Sequence, residues 1–79
     1  MDTMKTVCAL VAEACAIDPG EVHPEDRLRS HGLDSVRAVE LAVMLEDAFR
    51  MPIQLQELEG LGHATVGDLA AFVERKRAV

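Results

Sequence analysis

Residues 32–50 read Gly32-Leu33-Asp34-Ser35-Val36-Arg37-Ala38-Val39-Glu40-Leu41-Ala42-Val43-Met44-Leu45-Glu46-Asp47-Ala48-Phe49-Arg50, and this stretch decides the fold. Val36, Val39, Leu41, Ala42, Val43, Leu45 and Phe49 supply apolar positions at helical spacing, while Glu40, Glu46, Asp47 and Arg50 are polar. Asp34 is a good N-cap, because its short carboxylate can accept a hydrogen bond from an N–H of the first turn. Pro52, just after Met51, stops the helix. The pattern predicts a helix over 35–50.

Upstream, Met4, Val7, Cys8, Leu10, Val11, Ala14, Cys15 and Ile17 follow the same spacing and predict a helix over 3–17. Asp2 or Thr3 serves as its N-cap, and Asp18-Pro19-Gly20 ends it. Residues 18–34 then form a long connection with two prolines and two glycines, anchored on the core by Val22, Leu28 and Leu33. A connection of this length is uncommon in a small domain and usually has a function. Downstream, Ile53, Leu55, Leu58 and Leu61, with Gly60 and Gly62, predict one short helical turn within 53–64. Thr65-Val66-Gly67-Asp68 has the spacing of a capping box and opens a last helix that buries Val66, Leu69, Phe72 and Val73. Arg75, Lys76 and Arg77 suit the negative end of its dipole. The expected fold is therefore all-α: a small four-helix bundle, three longer helices and one short, with a long loop between the first and second. At 79 residues the chain is expected to be a single domain, 1–79.

Composition narrows the function. Apolar residues make up 49% of the chain but aromatic ones only 3%, so the core is aliphatic. Eight bases against fourteen acids give a net charge of −6 at pH 7, which disfavours nucleic acid and anionic lipid. No apolar run reaches the 18 or so residues of a membrane span, and no signal-peptide pattern is present, so the expectation is a cytoplasmic monomer. Cys8 and Cys15, seven apart on one helix, stand too far apart for a disulfide and lack the pairing of a zinc site.

The chemistry-bearing segment is Gly32-Leu33-Asp34-Ser35-Val36, where the loop meets the second helix. The chain has two serines, Ser30 and Ser35. Ser35 falls at a helix start, where backbone N–H groups lack intrahelical partners and the dipole favours an anion. A phosphoryl group attached there would be well placed. Gly32 permits a sharp turn, and Leu33 pins the loop so that Ser35 faces water.

In these residues the chain resembles the acyl carrier proteins, whose modification motif is Gly, any residue, Asp, Ser and an aliphatic residue. Here that is Gly32-Leu33-Asp34-Ser35-Val36, followed by Val39-Glu40-Leu41 as in the family. The resemblance extends over nearly the whole chain, through the loop with Asp26 and Leu28, the helix ending at Phe49 and the Thr65–Asp68 start of the last helix. It implies a standalone carrier and not an enzyme. Ser35 would receive 4'-phosphopantetheine from coenzyme A through a phosphopantetheinyl transferase. The arm's thiol would hold acyl groups as thioesters for fatty-acid or polyketide-type enzymes. Asp34 would cap the helix and help hold the transferase's metal; the carrier itself needs none.

The resemblance also implies a docking surface on the second helix for acyl-transferring, ketosynthase-type or acyl-activating partners. Its residues would be Val36, Arg37, Glu40, Val43, Met44, Glu46 and Asp47, with the acids steering basic partners. Arg37 departs from the family, standing where many fatty-acid carriers have an acid. His31 replaces a usually aliphatic residue and is expected to be a partly exposed loop residue, as are His23 and His63.

Other readings compete. An aminoacyl or peptidyl carrier shares the fold and prosthetic group but typically shows Gly-Gly-His-Ser or Gly-Gly-Asp-Ser at the site. A hydrolase using Ser35, Asp34 and His31 lacks a cleft and a workable relay. A calcium loop from Asp26 fails because Leu28 and Arg37 fall where oxygen ligands are required. A helical interaction module without cofactor explains the fold and leaves the motif unexplained.

Overall fold

The computed structural model describes residues 2–60 and 63–78. Helix α1 spans Thr3–Cys15, α2 Ser35–Phe49, α3 Leu55–Glu59 and α4 Val66–Ala78. Three long helices and a short one form an aliphatic bundle, as the sequence predicts. The expected Leu61 and Gly62 lie outside the described residues.

The inward faces follow helical periodicity. On α2 the buried residues are Ala38, Leu41, Ala42 and Leu45; on α4 they are Val66, Leu69, Ala70 and Val73. Both sets are i, i+3, i+4, i+7, the stripe that one helix presents to a core. All but Ala38 meet Val7 and Val11 of α1, Leu28 of the loop and Leu58 of α3 in one cluster. Each buried valine or leucine contributes about 1.5–3 kcal/mol by leaving water. Helix α1 packs against both α2 and α4, and α3 packs against α2.

Helix α1 ends at Cys15, two residues before the predicted Ile17. Ala16 adopts the left-handed conformation, φ 57°, and its N–H and that of Ile17 close back on Ala12 and Glu13 carbonyls. This closure satisfies the last carbonyls and turns half-buried Ile17 onto the core. Of the two candidate caps, Asp2 holds the Lys5 N–H at 3.3 Å. Thr3 is instead buried, and its hydroxyl accepts from Arg77 at 3.1 Å, tying α1 to the end of α4.

The long connection has structure of its own. It contains 3-10 turns at Pro19–Glu21 and Leu28–His31. It also pairs with the start of α4: Val66 N–H donates to the Asp26 carbonyl at 2.8 Å, and Leu28 N–H to the Ala64 carbonyl at 3.0 Å. Gly67 N–H reaches the Pro24 carbonyl at 2.8 Å, and a Cβ at Gly67 would stand 3.2 Å from that oxygen, so the approach favours glycine. Val22 and Leu28 are buried and Leu33 is half-buried, the anchors that their apolar character predicts. The Thr65–Asp68 capping box forms in both directions, at 3.0 and 3.1 Å.

Candidate functional site

The site is the turn from the loop into α2. After the 3-10 turn, Gly32 takes φ 83°, a conformation that strains any residue with a Cβ, and its N–H closes on the Arg29 carbonyl at 3.1 Å. Leu33 packs against the core and fixes the reversal. Asp34 then caps α2, its Oδ1 accepting the Arg37 N–H at 2.9 Å. Ser35 is the first helical residue and is exposed. With the Arg37 N–H satisfied by the cap, the N–H groups of Ser35 and Val36 remain without intrahelical partners. The result is an exposed hydroxyl at the positive end of a 15-residue helix.

The Arg37 guanidinium folds back over this turn, 3.3 Å from the Gly32 carbonyl oxygen and 3.7 Å from Asp34 Oδ2. Arg37, Asp34, Val36 and Glu40 face Glu13, Ala14 and Ala16 of α1 across an open groove of about 470 Å³. Buried Cys15 lies near this edge. Burial pushes its thiol up, with Arg37 opposing and Asp34 adding to the shift, so it stays protonated and inert.

The outward side of α2 carries three large apolar residues exposed to water: Val36 at 68%, Val39 at 47% and Val43 at 52%. At about 100° per residue, Val39 falls beside Ser35, and Val36 and Val43 beside Val39. Glu40 and Asp47 are exposed along the same side. The predicted docking residues therefore separate into two groups. Val36, Glu40, Val43 and Asp47 stand on the open side with Arg37 at its edge. Met44 is half-buried and packs on the core, and the Glu46 carboxylate accepts the Ile53 N–H at 3.1 Å. Glu46 thus holds the turn beyond α2. Val39 was missed as a surface residue, because a count of apolar residues cannot tell an outward valine from an inward one.

His31 is partly exposed, as expected, and carries a bond that the sequence did not predict. Its ring is half-buried, with Nε2 2.8 Å from Asp26 Oδ2, and that carboxylate also accepts the His23 N–H at 3.0 Å. These bonds hold the Asp26 carboxyl below its usual range, the backbone N–H first and the imidazole second. His23 and His63 are exposed loop residues, as expected. Among the described residues no cluster of metal-ligating side chains forms, and no helix is long and apolar enough to cross a membrane.

A family model described as a phosphopantetheine attachment site matches residues 5–73. The chain belongs to the acyl carrier family. It is 36% identical over 77 residues to the acyl carrier protein of Prochlorococcus marinus (strain MIT 9515), an alignment that covers 96% of this chain and 94% of that one. No solved structure matches.

An acyl carrier bears a covalently attached phosphopantetheine and presents it to other enzymes; it is a carrier and not an enzyme. The turn into α2 fits such a group. An exposed hydroxyl lies beside unpartnered backbone N–H groups, and a phosphodiester there would gain the favourable end of the dipole. The carrier's only other serine, Ser30, lies in the 3-10 turn and not at the start of a long helix.

Proposed function

We propose that residues 1–79 form one carrier unit in which Ser35 bears the phosphopantetheine arm and the thiol holds acyl intermediates. The observation that carries the reading is the exposed Ser35 hydroxyl at the capped start of α2. In the loading step Ser35 Oγ attacks the β-phosphorus of coenzyme A, a new O–P bond forms, and 3',5'-ADP leaves with the cleaved oxygen. The hydroxyl proton passes to a base of the transferase, which also supplies the metal. Asp34 orients the helix start through its cap, and its Oδ2, which lies 3.7 Å from the Arg37 guanidinium, is the oxygen that would turn to that metal.

The partner face is Val36, Val39 and Val43 with Glu40 and Asp47, and Arg37 at its edge. Partners that present Lys and Arg around an apolar patch fit it: the phosphopantetheinyl transferase first, then acyl-transferring and ketosynthase-type or acyl-activating enzymes of a cytoplasmic fatty-acid or polyketide pathway. Acyl cargo is favoured by Gly32-Leu33-Asp34-Ser35 and by the likeness to a protein named as an acyl carrier.

The test is intact mass after incubation with coenzyme A, magnesium and a broad-specificity transferase. One added phosphopantetheine is expected on the wild type and none on Ser35→Ala. Equal gain by the variant, or no gain by the wild type, sinks the assignment of Ser35. Loading of the holo form only by an amino-acid-activating enzyme would sink the acyl reading.

A further inference from the structure

The turn that delivers Ser35 hangs from a fixed point, and that point is Asp26. Its carbonyl accepts the Val66 N–H at 2.8 Å, its own N–H donates to the His23 carbonyl at 3.0 Å, and its carboxylate accepts the His23 N–H at 3.0 Å. Asp26 is therefore locked both to the start of α4 and to the preceding turn. The following segment is anchored at buried Leu28, whose N–H donates to the Ala64 carbonyl at 3.0 Å, and its backbone hold is longest at its end, where the Leu33 N–H reaches the Leu28 carbonyl at 3.4 Å. Two side chains tie this segment down, His31 to the Asp26 carboxylate at 2.8 Å and Arg37 to the Gly32 carbonyl at 3.3 Å. The arginine keeps its charge at every relevant pH, whereas histidine is the side chain that changes charge near neutrality.

We propose that His31, acting through Asp26, is a positioning residue for the Ser35 turn, and that it holds the turn more firmly when its imidazole is protonated. Protonation converts the bond to Asp26 into a charge-assisted one, stronger than its neutral counterpart. The neighbouring groups leave this change to the imidazole. Asp26 is ionised throughout the range because its carboxyl is held down by the bonds it accepts. On the α1 side the Cys8 thiol faces Asp26; burial, Asp2 and Asp26 all push it up, so it stays neutral. Arg27 bonds the His63 carbonyl at 3.0 Å and keeps its charge, as does exposed Arg29. His23, whose ring acts on Asp26 through charge, is the other histidine beside this carboxylate. The inference rests on Ser35 being the attachment site only for its functional consequence; the effect on the turn stands without it.

The experiment uses the full chain with His23→Gln as the background, which keeps the backbone N–H to Asp26 and removes the second imidazole. Amide exchange of Gly32 and Leu33, corrected for intrinsic rates, is followed by NMR from about pH 5.5 to about pH 8. Protection is expected to fall about two- to fivefold as the imidazole deprotonates, the size of a partly exposed ion pair. His31→Leu, which keeps the volume of the usual aliphatic residue, is expected to show no such step, and Asp26→Asn to lose it as well. A flat background chain, or the same step in His31→Leu, overturns the proposal.

A second readout is the transferase KM for the carrier. Relative to His31→Leu, the background chain's KM is expected to rise about two- to fivefold over the same range while kcat tracks the variant's. A kcat change with constant KM contradicts positioning. If the exchange step is present and neither chain gains mass at any pH, the Ser35 assignment falls and the positioning of the turn stands.

Discussion

Helices α2 and α4 bury the same pattern and differ entirely on the outside. Each turns four small or branched aliphatic residues inward at i, i+3, i+4, i+7. Outside, α4 is charged and tied into the fold: Lys76 pairs with Glu57 of α3 at 2.8 Å and lies 5.7 Å over the Phe72 ring. Arg77 bonds Thr3 and lies 5.4 Å over the ring of Phe49. On α2 the outer side is three valines that touch little and two acids in water. The exposed valines are the surface we propose for partners. The same inward code thus supports one helix whose outer side is tied into the bundle and another whose outer side is open.

The largest effects should separate inside from outside. Leu41→Ala on α2 and Leu69→Ala on α4 each remove a fully buried side chain and are expected to cost about 2–5 kcal/mol in urea unfolding. A domain whose total stability is of order 5–15 kcal/mol would be brought near its limit by either. Val39→Ser and Val43→Ser should fall within about 0.5 kcal/mol of the parent. They should nevertheless slow phosphopantetheine transfer. If Val39→Ser destabilises as much as Leu41→Ala, the outer valines belong to the core and the contrast fails.

This contrast also marks what the sequence could tell. The inward stripes were legible because burial forces apolar residues into helical spacing, and the Asp34 and Thr65–Asp68 caps because short oxygen-bearing side chains stand one turn from the N–H groups they satisfy. The Gly-Leu-Asp-Ser-Val motif pointed to the turn into α2, where Ser35 stands exposed at a capped helix start. Apolar identity alone could not assign Val39 to the surface, nor could acidic identity show that Glu46 is occupied by the Ile53 N–H. The end of α1 was misplaced because Ala16 takes a left-handed conformation without glycine, at a cost of roughly 1–2 kcal/mol, which the closing hydrogen bonds offset. The Asp26–His31 pair was missed because the bond depends on a 3-10 turn that brings back a residue five positions along the chain.

The two N-caps sharpen the comparison at a smaller scale. Asp34→Ala and Thr65→Ala each delete a side-chain acceptor at a helix start, and each should cost about 1 kcal/mol. Their functional effects should differ. Thr65→Ala should leave phosphopantetheine transfer unchanged, whereas Asp34→Ala should slow it. Asp34→Ser supplies another capping oxygen without the charge; it should recover most of the stability and little of the rate. Full recovery of rate in Asp34→Ser would show that the residue acts on loading only through the cap.

The smallest effect tests whether the charges on α4 belong to the fold. Lys76 first, and the Gln54 N–H second, hold the Glu57 carboxyl below its usual range. A carboxyl depressed in the folded state adds stability above its unfolded value, near about pH 4.3, and loses that contribution as pH falls through the lower folded value. The difference in Tm between the parent and Glu57→Gln should therefore be constant above about pH 5 and shrink as the pH falls through the lowered folded value. Lys76→Met keeps the aliphatic cover on Phe72 and removes the charge, so most of the pH dependence should vanish with it. A parent-to-variant difference that persists undiminished at about pH 3 would mean that the Glu57 charge is idle. The outer side of α4 would then be tied to the fold by Arg77 alone, through Thr3 and the ring of Phe49.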